Sequence, residues 1–307
     1  MVKNVTCPGR FVVVETTLPK RIAIVGPTAS GKTNLAIELA EQFPGEIICA
    51  DSRTVYRGLD IGTAKPSPAQ RARVRHHLLD IVDPDTRLGA AEFKRMALDA
   101  IDDIEARGKI PYLVGGSGLY VDAVLYDYQF PLPAGPGERE KLDLLSTVEL
   151  VERLELVDPE ATETVDLKNR RRLVRAIETA GQSRSRRERV SSGWLVLGTL
   201  MNKNVAQTTI AARVKKMLEE GFLDEVAQIG TKYGWDSPAM QIIGYRAMKG
   251  VVLGHKTRDE GIAEFVRGDI ELFKKQLTWF KRNTDIVWVE TTQQATARVR
   301  EFMGGAV

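Results

Sequence analysis

The sequence contains little cysteine and histidine, and it has no long apolar run. Cys7 and Cys49 are its two cysteines among 307 residues, so neither a disulfide framework nor a cysteine metal site is expected. No stretch without a charged side chain approaches the roughly 20 residues that a membrane-spanning helix needs. The apolar residues near the start are too few for a signal peptide. These absences exclude a membrane protein and a disulfide-stabilised secreted domain, and we expect a cytoplasmic protein.

The overall charge is nearly balanced, but its distribution is not. Lys and Arg total 44 against 41 Asp and Glu, a net charge of +3. Residues 168–189 carry nine basic and two acidic side chains, so this basic segment has a net charge of +7 and the rest of the chain −4. Such a segment is a candidate contact for a polyanion. From charge alone, a solvated helix face followed by a loop is the simpler explanation.

Short apolar runs alternate with stretches of helical periodicity. The runs typical of buried strands are residues 21–25 (RIAIV), 46–50 (EIICA), 77–82 (HLLDIV), 110–114 (IPYLV), 194–199 (WLVLGT) and 286–289 (IVWV). Residues 34–43 and 91–107 have helical spacing, and alternation of this kind predicts a parallel sheet with right-handed crossovers. We therefore predict an α/β fold, a P-loop NTPase-like parallel sheet core with helical insertions.

Breaks in this alternation indicate how the chain is divided. We expect an N-terminal extension over residues 1–20 and an α/β core over 21–130, completed by 190–204 and 284–307. A proline- and glycine-rich stretch at 131–137 opens a helical insertion over 131–189. A second helical segment covers residues 205–283.

Residues 26–33 read GPTASGKT and match the phosphate-binding pattern G-x-x-x-x-G-K-[ST]. A buried strand precedes them and an amphipathic helix follows, which is the context that this loop requires. The glycines let the backbone wrap around a phosphate, and the helix N-terminus adds free N–H groups and a positive dipole. Lys32 supplies a charge, and the Thr33 hydroxyl is placed to bind magnesium. The predicted diphosphate-binding residues are Gly26, Pro27, Thr28, Ala29, Ser30, Gly31, Lys32 and Thr33.

The loop does not by itself specify ATP. The strand at 110–114 ends in Gly115-Gly116-Ser117 and lacks the acidic residue that usually holds magnesium in an NTPase. Asp51 ends a neighbouring strand instead. Because the carboxyl ends of parallel strands face the ligand crevice, Asp51 and Ser117 should both point towards the bound group. On spacing alone, Asp51 is equally well explained as a turn or helix-capping residue.

Seven ordered motifs, taken together, resemble the tRNA dimethylallyltransferase family, also called tRNA isopentenyltransferases. They are residues 26–33 (GPTASGKT), 51–66 (DSRTVYRGLDIGTAKP), 76–83 (HHLLDIVD), 114–120 (VGGSGLY), 172–178 (RLVRAIE), 241–246 (QIIGYR) and 275–282 (KQLTWFKR). The likeness covers nearly the whole chain from about Arg21 to Trp288. The bacterial type fits best, because no C-terminal Cys/His zinc module follows.

The resemblance implies an enzyme that transfers a dimethylallyl group from dimethylallyl diphosphate to the exocyclic amine of an adenosine. That adenosine lies immediately 3′ of the anticodon in tRNAs that read codons beginning with U. The expected cofactor is Mg²⁺, and the expected partners are dimethylallyl diphosphate and the tRNA anticodon stem-loop. We expect no membrane association and a monomer.

The resemblance also assigns roles to individual residues. It implies that Asp51 is the general base, that Thr33 is catalytic through magnesium, and that Ser52 lies beside the target adenine. Residues 205–283 would contribute to the tRNA-binding channel. The implied tRNA-binding residues are Asp51, Ser52, Arg53, Thr54, Ser117, Arg139, Arg171, Arg172, Arg175, Gln241, Ile242, Ile243, Gly244, Tyr245 and Arg246. Together with these motifs, the basic residues of 170–175 are better explained as contacts to tRNA phosphates than as a solvated helix face. For residues 184–189, phosphate contact and a solvated loop remain equally good explanations.

Three other functions are alternatives on the sequence alone. A P-loop small-molecule kinase would use the loop, with the basic segment as a lid, but it gives the 51–66 motif no role. An adenylate isopentenyltransferase shares the loop and the base but does not need the tRNA-binding strips. A non-catalytic RNA-binding protein would not need an intact Lys32, Thr33 and Asp51.

Overall fold

A parallel sheet of six strands forms the centre of the structure, which is a computed structural model describing residues 19–131, 137–182, 188–190 and 193–304. The strands are β1 (Arg21–Val25), β2 (Gly45–Cys49), β3 (His76–His77), β4 (Ile110–Gly115), β5 (Trp194–Thr199) and β6 (Val287–Val289). Their order across the sheet is β3-β2-β4-β1-β5-β6. The connection from β1 leads to β2 on one side of the sheet, and the connection from β4 leads to β5 on the other side. The direction therefore reverses between the neighbouring strands β1 and β4, and in open parallel sheets ligands bind at such a point.

Helices occupy most of the remaining described residues. They are α1 (Lys32–Gln42), α2 (Pro68–Arg73), α3 (Ala90–Ala106), α4 (Gly118–Leu125), α5 (Glu138–Leu144), α6 (Thr147–Val157), α7 (Pro159–Thr164), α8 (Arg170–Glu178), α9 (Lys203–Glu219), α10 (Phe222–Tyr233), α11 (Ile243–Val252), α12 (Arg258–Lys281) and α13 (Thr292–Met303). In the part of the chain that the structure describes, no helix is both long and apolar enough to span a membrane. The α/β class with a P-loop NTPase-like parallel sheet, predicted from the sequence, is confirmed.

The chain divides into two compact units, residues 1–126 with 189–307, and residues 127–188. In the first unit, every residue of β1, β2 and β4 after the first is buried. Glu46 is the one charged residue among these buried positions. Helices α1 and α13 pack their apolar faces on this sheet. The second unit consists of α5 to α8, held together by a small core that includes Leu150, Leu154 and Leu173.

A second core in the first unit holds the segment that follows β2. Residues 51–66 pack their apolar side chains against α10, α11 and α12. The Glu225 carboxylate accepts hydrogen bonds from the backbone N–H groups of Asp60, Ile61 and Gly62 at 2.8 to 3.0 Å. It also accepts one from the Tyr245 hydroxyl. The helices between 205 and 283 therefore fix the conformation of the chain just after Asp51.

The third strand is shorter than the sequence predicted. Apolar character over 77–82 predicted a strand there, but β3 covers His76–His77. Leu78 and Asp80 have positive φ angles of 60° and 56°, which are incompatible with a continuing strand. Asp80 instead pairs with the buried Lys65 ammonium at 2.6 Å. The prediction was wrong here because a buried ion pair, which periodicity does not reveal, determines the backbone path.

Glu46, at the amino end of β2, is a buried carboxylate with cationic partners. Its side chain is 2% exposed and accepts hydrogen bonds from Arg107, from Lys109 Nζ at 2.8 Å and from His77 Nε2 at 2.7 Å. Burial alone would raise its pKa, but the hydrogen bonds from Arg107, Lys109 and His77 outweigh it and lower the pKa to about 2.

Glu46→Gln is expected to lower the free energy of unfolding at pH 7 by at most about 3 kcal/mol. Because the folded pKa lies below the unfolded value of 4.5, this contribution is present above pH 4.5 and is lost as the pH falls towards 2. Urea unfolding at several pH values tests this, with the exposed Glu41→Gln, paired with Arg73 at the surface, as the control. A wild-type-to-variant difference that does not shrink with acid would contradict the assignment.

Candidate active site

The loop between β1 and α1 has the backbone geometry of a phosphate cradle. Gly31 precedes the helix with φ 79°, and Ala29 also has a positive φ, 65°, which is uncommon for a residue with a side chain. The first N–H groups of α1 have no acceptor within the helix and face the loop with the positive end of its dipole. The loop therefore offers backbone donors to an anion, as its sequence predicted.

Close contact with β5 explains the first glycine of the loop. A Cβ atom at Gly26 would lie 2.1 Å from Thr199 Oγ1, so only glycine fits. The Thr199 hydroxyl lies 2.6 Å from the Ser30 hydroxyl and donates to the Val25 carbonyl at 3.4 Å. Thr199, which no motif indicated, thus joins the loop to the carboxyl end of β5.

Lys32 lies in this loop as a partly buried cation. Its ammonium donates to the Pro27 carbonyl at 3.1 Å. Burial lowers the pKa of Lys32 to about 8; the Asp51 carboxylate opposes this shift, whereas the charges of Arg213 and Arg53 add to it. An anionic ligand would bind strongly here, because opposite charges attract each other more strongly where water is partly excluded.

A cavity of about 190 Å³ opens over the loop. Its walls bring together side chains named from the sequence with one that was not, Arg213. Those named from the sequence include Thr28, Lys32, Thr33, Asp51 and Thr54. Asp51 follows β2, and the loop follows β1, so the parallel sheet places both at one edge. Six of the eight predicted loop residues, Thr28 to Thr33, therefore share one cavity with the predicted base, whereas Gly26 and Pro27 do not line it.

Asp51 is oriented by its own turn. One of its carboxylate oxygens, Oδ1, accepts a hydrogen bond from the Arg53 backbone N–H at 2.9 Å. The Ser117 hydroxyl accepts from the Ser52 backbone N–H at 2.9 Å and donates to the Ser52 hydroxyl at 3.2 Å. Ser52 is exposed, Arg53 is partly buried and Thr54 is buried. The structure thus joins the segment after β2 to the segment after β4 beside the cavity.

Gln276 on α12 connects the loop to the end of β4. Its side-chain oxygen accepts from the Thr28 backbone N–H, and its side-chain nitrogen donates to the Gly116 carbonyl, both at 2.8 Å. The motif at 275–282 contained Gln276, but its sequence did not indicate this role. Two turns earlier on the same helix, the buried Asp269 accepts from Arg213 Nη2 at 2.6 Å and from Arg53 Nη1 at 3.4 Å.

Arg213 and Asp269 were not found from the sequence, because neither belongs to a recognisable motif. Arg213 reaches the cavity from α9, more than 180 positions along the chain from the loop, and the packing of α9 on α12 places it there. A buried arginine–carboxylate pair carries no periodic signal. The sequence could have indicated this pair in one way, by a charged residue on the otherwise apolar face of each of the two helices.

The predicted strip at 241–246 runs from a 3-10 turn into α11. Gln241 and Arg246 are exposed, Ile242 and Ile243 are partly buried, and Gly244 and Tyr245 are buried. The Tyr245 hydroxyl donates to Glu225, and its ring makes an edge-on contact with Phe222. Tyr245 thus supports the segment after Asp51, while Gln241 and Arg246 remain exposed to solvent. Contact of this strip with tRNA stays a prediction.

In the second unit, the basic side chains of α8 differ in their surroundings. Arg170 donates to the backbone carbonyls of Leu142, Asp143 and Leu145, and so ties α8 to the end of α5. Arg171 and Arg172 are exposed, and they make no ion pair with any described residue. Among residues 170–175, Arg170 therefore has a structural role, and the next two positions are available to a ligand.

Arg139 and Arg175 share one carboxylate in that unit. Arg139 donates to Glu178 at 3.0 Å and Arg175 donates to it at 3.4 Å, and both arginine side chains are about two-fifths exposed. Residues 1–18 of the predicted extension and the basic residues Arg184, Arg186 and Arg187 lie outside the described residues.

A glycine-rich loop between a buried strand and a helix, at the switch point of a parallel sheet, defines this chain as a P-loop protein of the α/β class. Residues 54–283 match the family model described as IPP transferase. The chain belongs to this family of prenyltransferases, which confirms the family predicted from the sequence.

Individual relatives agree with this assignment. The chain is 43% identical over 286 residues to tRNA dimethylallyltransferase 2 of Geotalea uraniireducens, covering 88% of this chain and 92% of the relative. It is 42% identical over 303 residues to tRNA dimethylallyltransferase of Roseiflexus sp., covering 92% and 98%.

Solved structures show the same fold. The crystal structure of full-length tRNA isopentenylpyrophosphate transferase from Bacillus halodurans matches with a TM-score of 0.70 and 34% identity, over 93% of this chain and 95% of that one. A eukaryotic dimethylallyltransferase, determined in structures described as acting on tRNA, matches in fold with a TM-score of 0.80 and 22% identity, over 94% and 81% of the two chains.

Proposed function

We propose that this chain transfers a dimethylallyl group from dimethylallyl diphosphate to the exocyclic amine of the adenosine immediately 3′ of the anticodon, in tRNAs that read codons beginning with U. The observation that carries the proposal is the single cavity lined by the phosphate-binding loop and by Asp51. Membership of the IPP transferase family and the relatives named tRNA dimethylallyltransferase support the same reaction.

The loop would bind the diphosphate and stabilise it as a leaving group. As the bond between the allylic carbon and the diphosphate oxygen breaks, its electron pair moves to the diphosphate. The loop N–H groups, Lys32 and Arg213 are the positive groups around that cavity. They would stabilise the developing negative charge, so that less energy is needed to break the bond.

Asp51 would act as the general base. The amine nitrogen forms a bond to the allylic carbon and must lose a proton, which the carboxylate accepts. Asp51 Oδ1 accepts from the Arg53 N–H, so the other carboxylate oxygen, Oδ2, would accept the proton. The adenine must leave its stack to reach the cavity. We propose that it enters beside Ser52 and Ser117, which are hydrogen-bonded to each other next to Asp51.

Transferases of this family generally need a divalent metal ion, and we propose Mg²⁺ for this chain. The donor at the cavity fits, because the Thr33 hydroxyl is an oxygen ligand of the type that Mg²⁺ prefers. Thr33 also makes no hydrogen bond through its hydroxyl to any described residue. When bound, the ion supplies positive charge to the diphosphate oxygens.

We propose that Asp51 to Thr54, Ser117, Arg139, Arg171, Arg172, Arg175 and residues 241–246 contact tRNA, and that the helical segment 205–283 contributes to its channel. The exposed arginines of α8 support this, since arginine forms strong contacts with phosphate. We also propose that the chain acts as a monomer.

The double variant Arg172→Ala and Arg175→Ala is expected to weaken tRNA binding and to flatten its dependence on salt. Each lost phosphate contact should lower the slope of log affinity against log salt by about 1. Affinity measured from about 50 to 300 mM KCl tests this. Arg95→Ala with Arg298→Ala removes two exposed charges from helices of the first unit and is the matched control. A slope equal to that of the wild type would exclude phosphate contact.

The function is tested by incubating the protein with dimethylallyl diphosphate, Mg²⁺ and unmodified tRNA, followed by mass spectrometry of the nucleosides. One adenosine should gain a five-carbon prenyl group. Transfer to free adenylate, or consumption of ATP without prenylation, would instead support the adenylate isopentenyltransferase or the kinase. A tRNA whose adenosine 3′ of the anticodon is replaced by guanosine should remain unmodified.

A further inference from the structure

A buried carboxylate joins two arginines beside the cavity. Asp269 is 1% exposed, and its two oxygens accept hydrogen bonds from two different guanidinium groups, those of Arg213 and Arg53. A carboxylate is removed from water at high cost unless it is paired, so its partners are strongly constrained where it is buried. The pairing therefore limits the positions of both arginines.

The two arginines act at different places. Arg213 forms part of the cavity wall beside the phosphate-binding loop, and its Nε is buried without a hydrogen-bond partner among the described residues. Arg53 donates its backbone N–H to Asp51 Oδ1 at 2.9 Å. One carboxylate is thus connected to the cavity wall through Arg213 and to the carboxylate Asp51 through Arg53. The influence of both arginine charges on the pKa of Lys32 agrees with this proximity.

Helix α12 carries these contacts on one face. Gln276 lies seven residues after Asp269, which is about two turns, and bonds both the loop and the Gly116 carbonyl. Phe273 lies between them and is 2% exposed. A long helix with a packed face is a rigid support, so groups held by it keep their relative positions.

We propose that Asp269 is a positioning residue for the transfer reaction, holding Arg213 for the diphosphate and the Arg53 turn that orients Asp51. This inference rests on the proposed function and deepens it, because it adds a residue that touches neither substrate. Replacing Asp269 should therefore weaken diphosphate binding, because Arg213 is no longer held, and slow the transfer, because Asp51 is no longer oriented.

The test compares Asp269→Asn, Arg213→Met and the double variant, with Asp259→Asn, exposed in the first turn of the same helix, as control. Asp269→Asn keeps the side-chain shape but removes the charge. We expect the inhibition constant of inorganic pyrophosphate and the KM for dimethylallyl diphosphate to rise by about tenfold or more, and kcat to fall similarly. Affinity for tRNA should stay within about threefold. The double variant should bind pyrophosphate about as poorly as Arg213→Met alone, since Asp269 acts through Arg213.

A purely structural role would lower the unfolding temperature and the active fraction but would leave KM and the pyrophosphate constant unchanged. That result, or additive effects in the double variant, would overturn the proposal. If Asp269→Asn does not fold, Asp269→Glu retains the charge and displaces the carboxylate by one methylene. A wild-type pyrophosphate constant in that variant would equally overturn it. Failure of the wild-type enzyme to prenylate tRNA would instead refute the proposed function.

Discussion

Asp51→Asn is expected to lower kcat for prenyl transfer by roughly 10²- to 10⁴-fold, which is the usual contribution of a general base. Asparagine has the same shape and can still accept the hydrogen bond from the Arg53 N–H, so the turn should persist. It cannot accept the proton that the amine loses. The inhibition constant of pyrophosphate should stay within a few-fold, because the loop and Lys32 are unchanged. Single-turnover assays with saturating substrates measure the chemical step directly.

The control for this variant is Asp99→Asn, an identical change at an exposed position of α3, where Asp99 pairs with Arg95. It should have wild-type kcat. A near wild-type rate for Asp51→Asn would show that another group removes the proton. A parallel loss of pyrophosphate binding and of unfolding temperature would show that the carboxylate maintains the cavity instead.

Lys32→Met is expected to reduce kcat/KM for dimethylallyl diphosphate by roughly 10²- to 10³-fold, with a corresponding rise in the inhibition constant of pyrophosphate. The cause is loss of the one lysine charge within the phosphate-binding loop. The stability of the folded protein should not decrease. Burial lowers the pKa of Lys32 to about 8, which means that keeping its ammonium charged at pH 7 lowers the free energy of unfolding. Methionine carries no charge and removes this destabilisation. The unfolding temperature should therefore be unchanged or higher.

Lys141→Met, in an exposed position of α5 where the lysine pairs with Glu138, is the matched control and should have no effect on either constant. Lys32→Arg adds a further comparison, since it keeps the charge in a larger, planar group that does not fit the loop in the same way. Wild-type pyrophosphate inhibition in Lys32→Met would exclude Lys32 from diphosphate binding. A strongly lowered unfolding temperature would mean that the residue is needed for the fold.

Much of the candidate site could be predicted because it is built from short, continuous segments. The loop at 26–33 carries its own glycines, lysine and threonine, and the apolar strand before it identifies its context. Spacing alone does not decide the role of Asp51, since a turn residue explains its position equally well. The structure gives it both properties, because its carboxylate accepts from the Arg53 N–H and also lines the cavity.

The sequence by itself determined the class of fold, the phosphate-binding loop and the family, because these depend on local patterns and ordered motifs. Only the tertiary structure decided the surroundings of the loop. Thr199, Arg213, Asp269 and Gln276 come from positions far apart along the chain. The packing of the sheet with α9 and α12 brings Arg213 to the cavity wall, Thr199 and Gln276 to the loop, and Asp269 to Arg213. Contacts between distant segments depend on how faces pack in three dimensions, and a one-dimensional pattern contains no record of that arrangement.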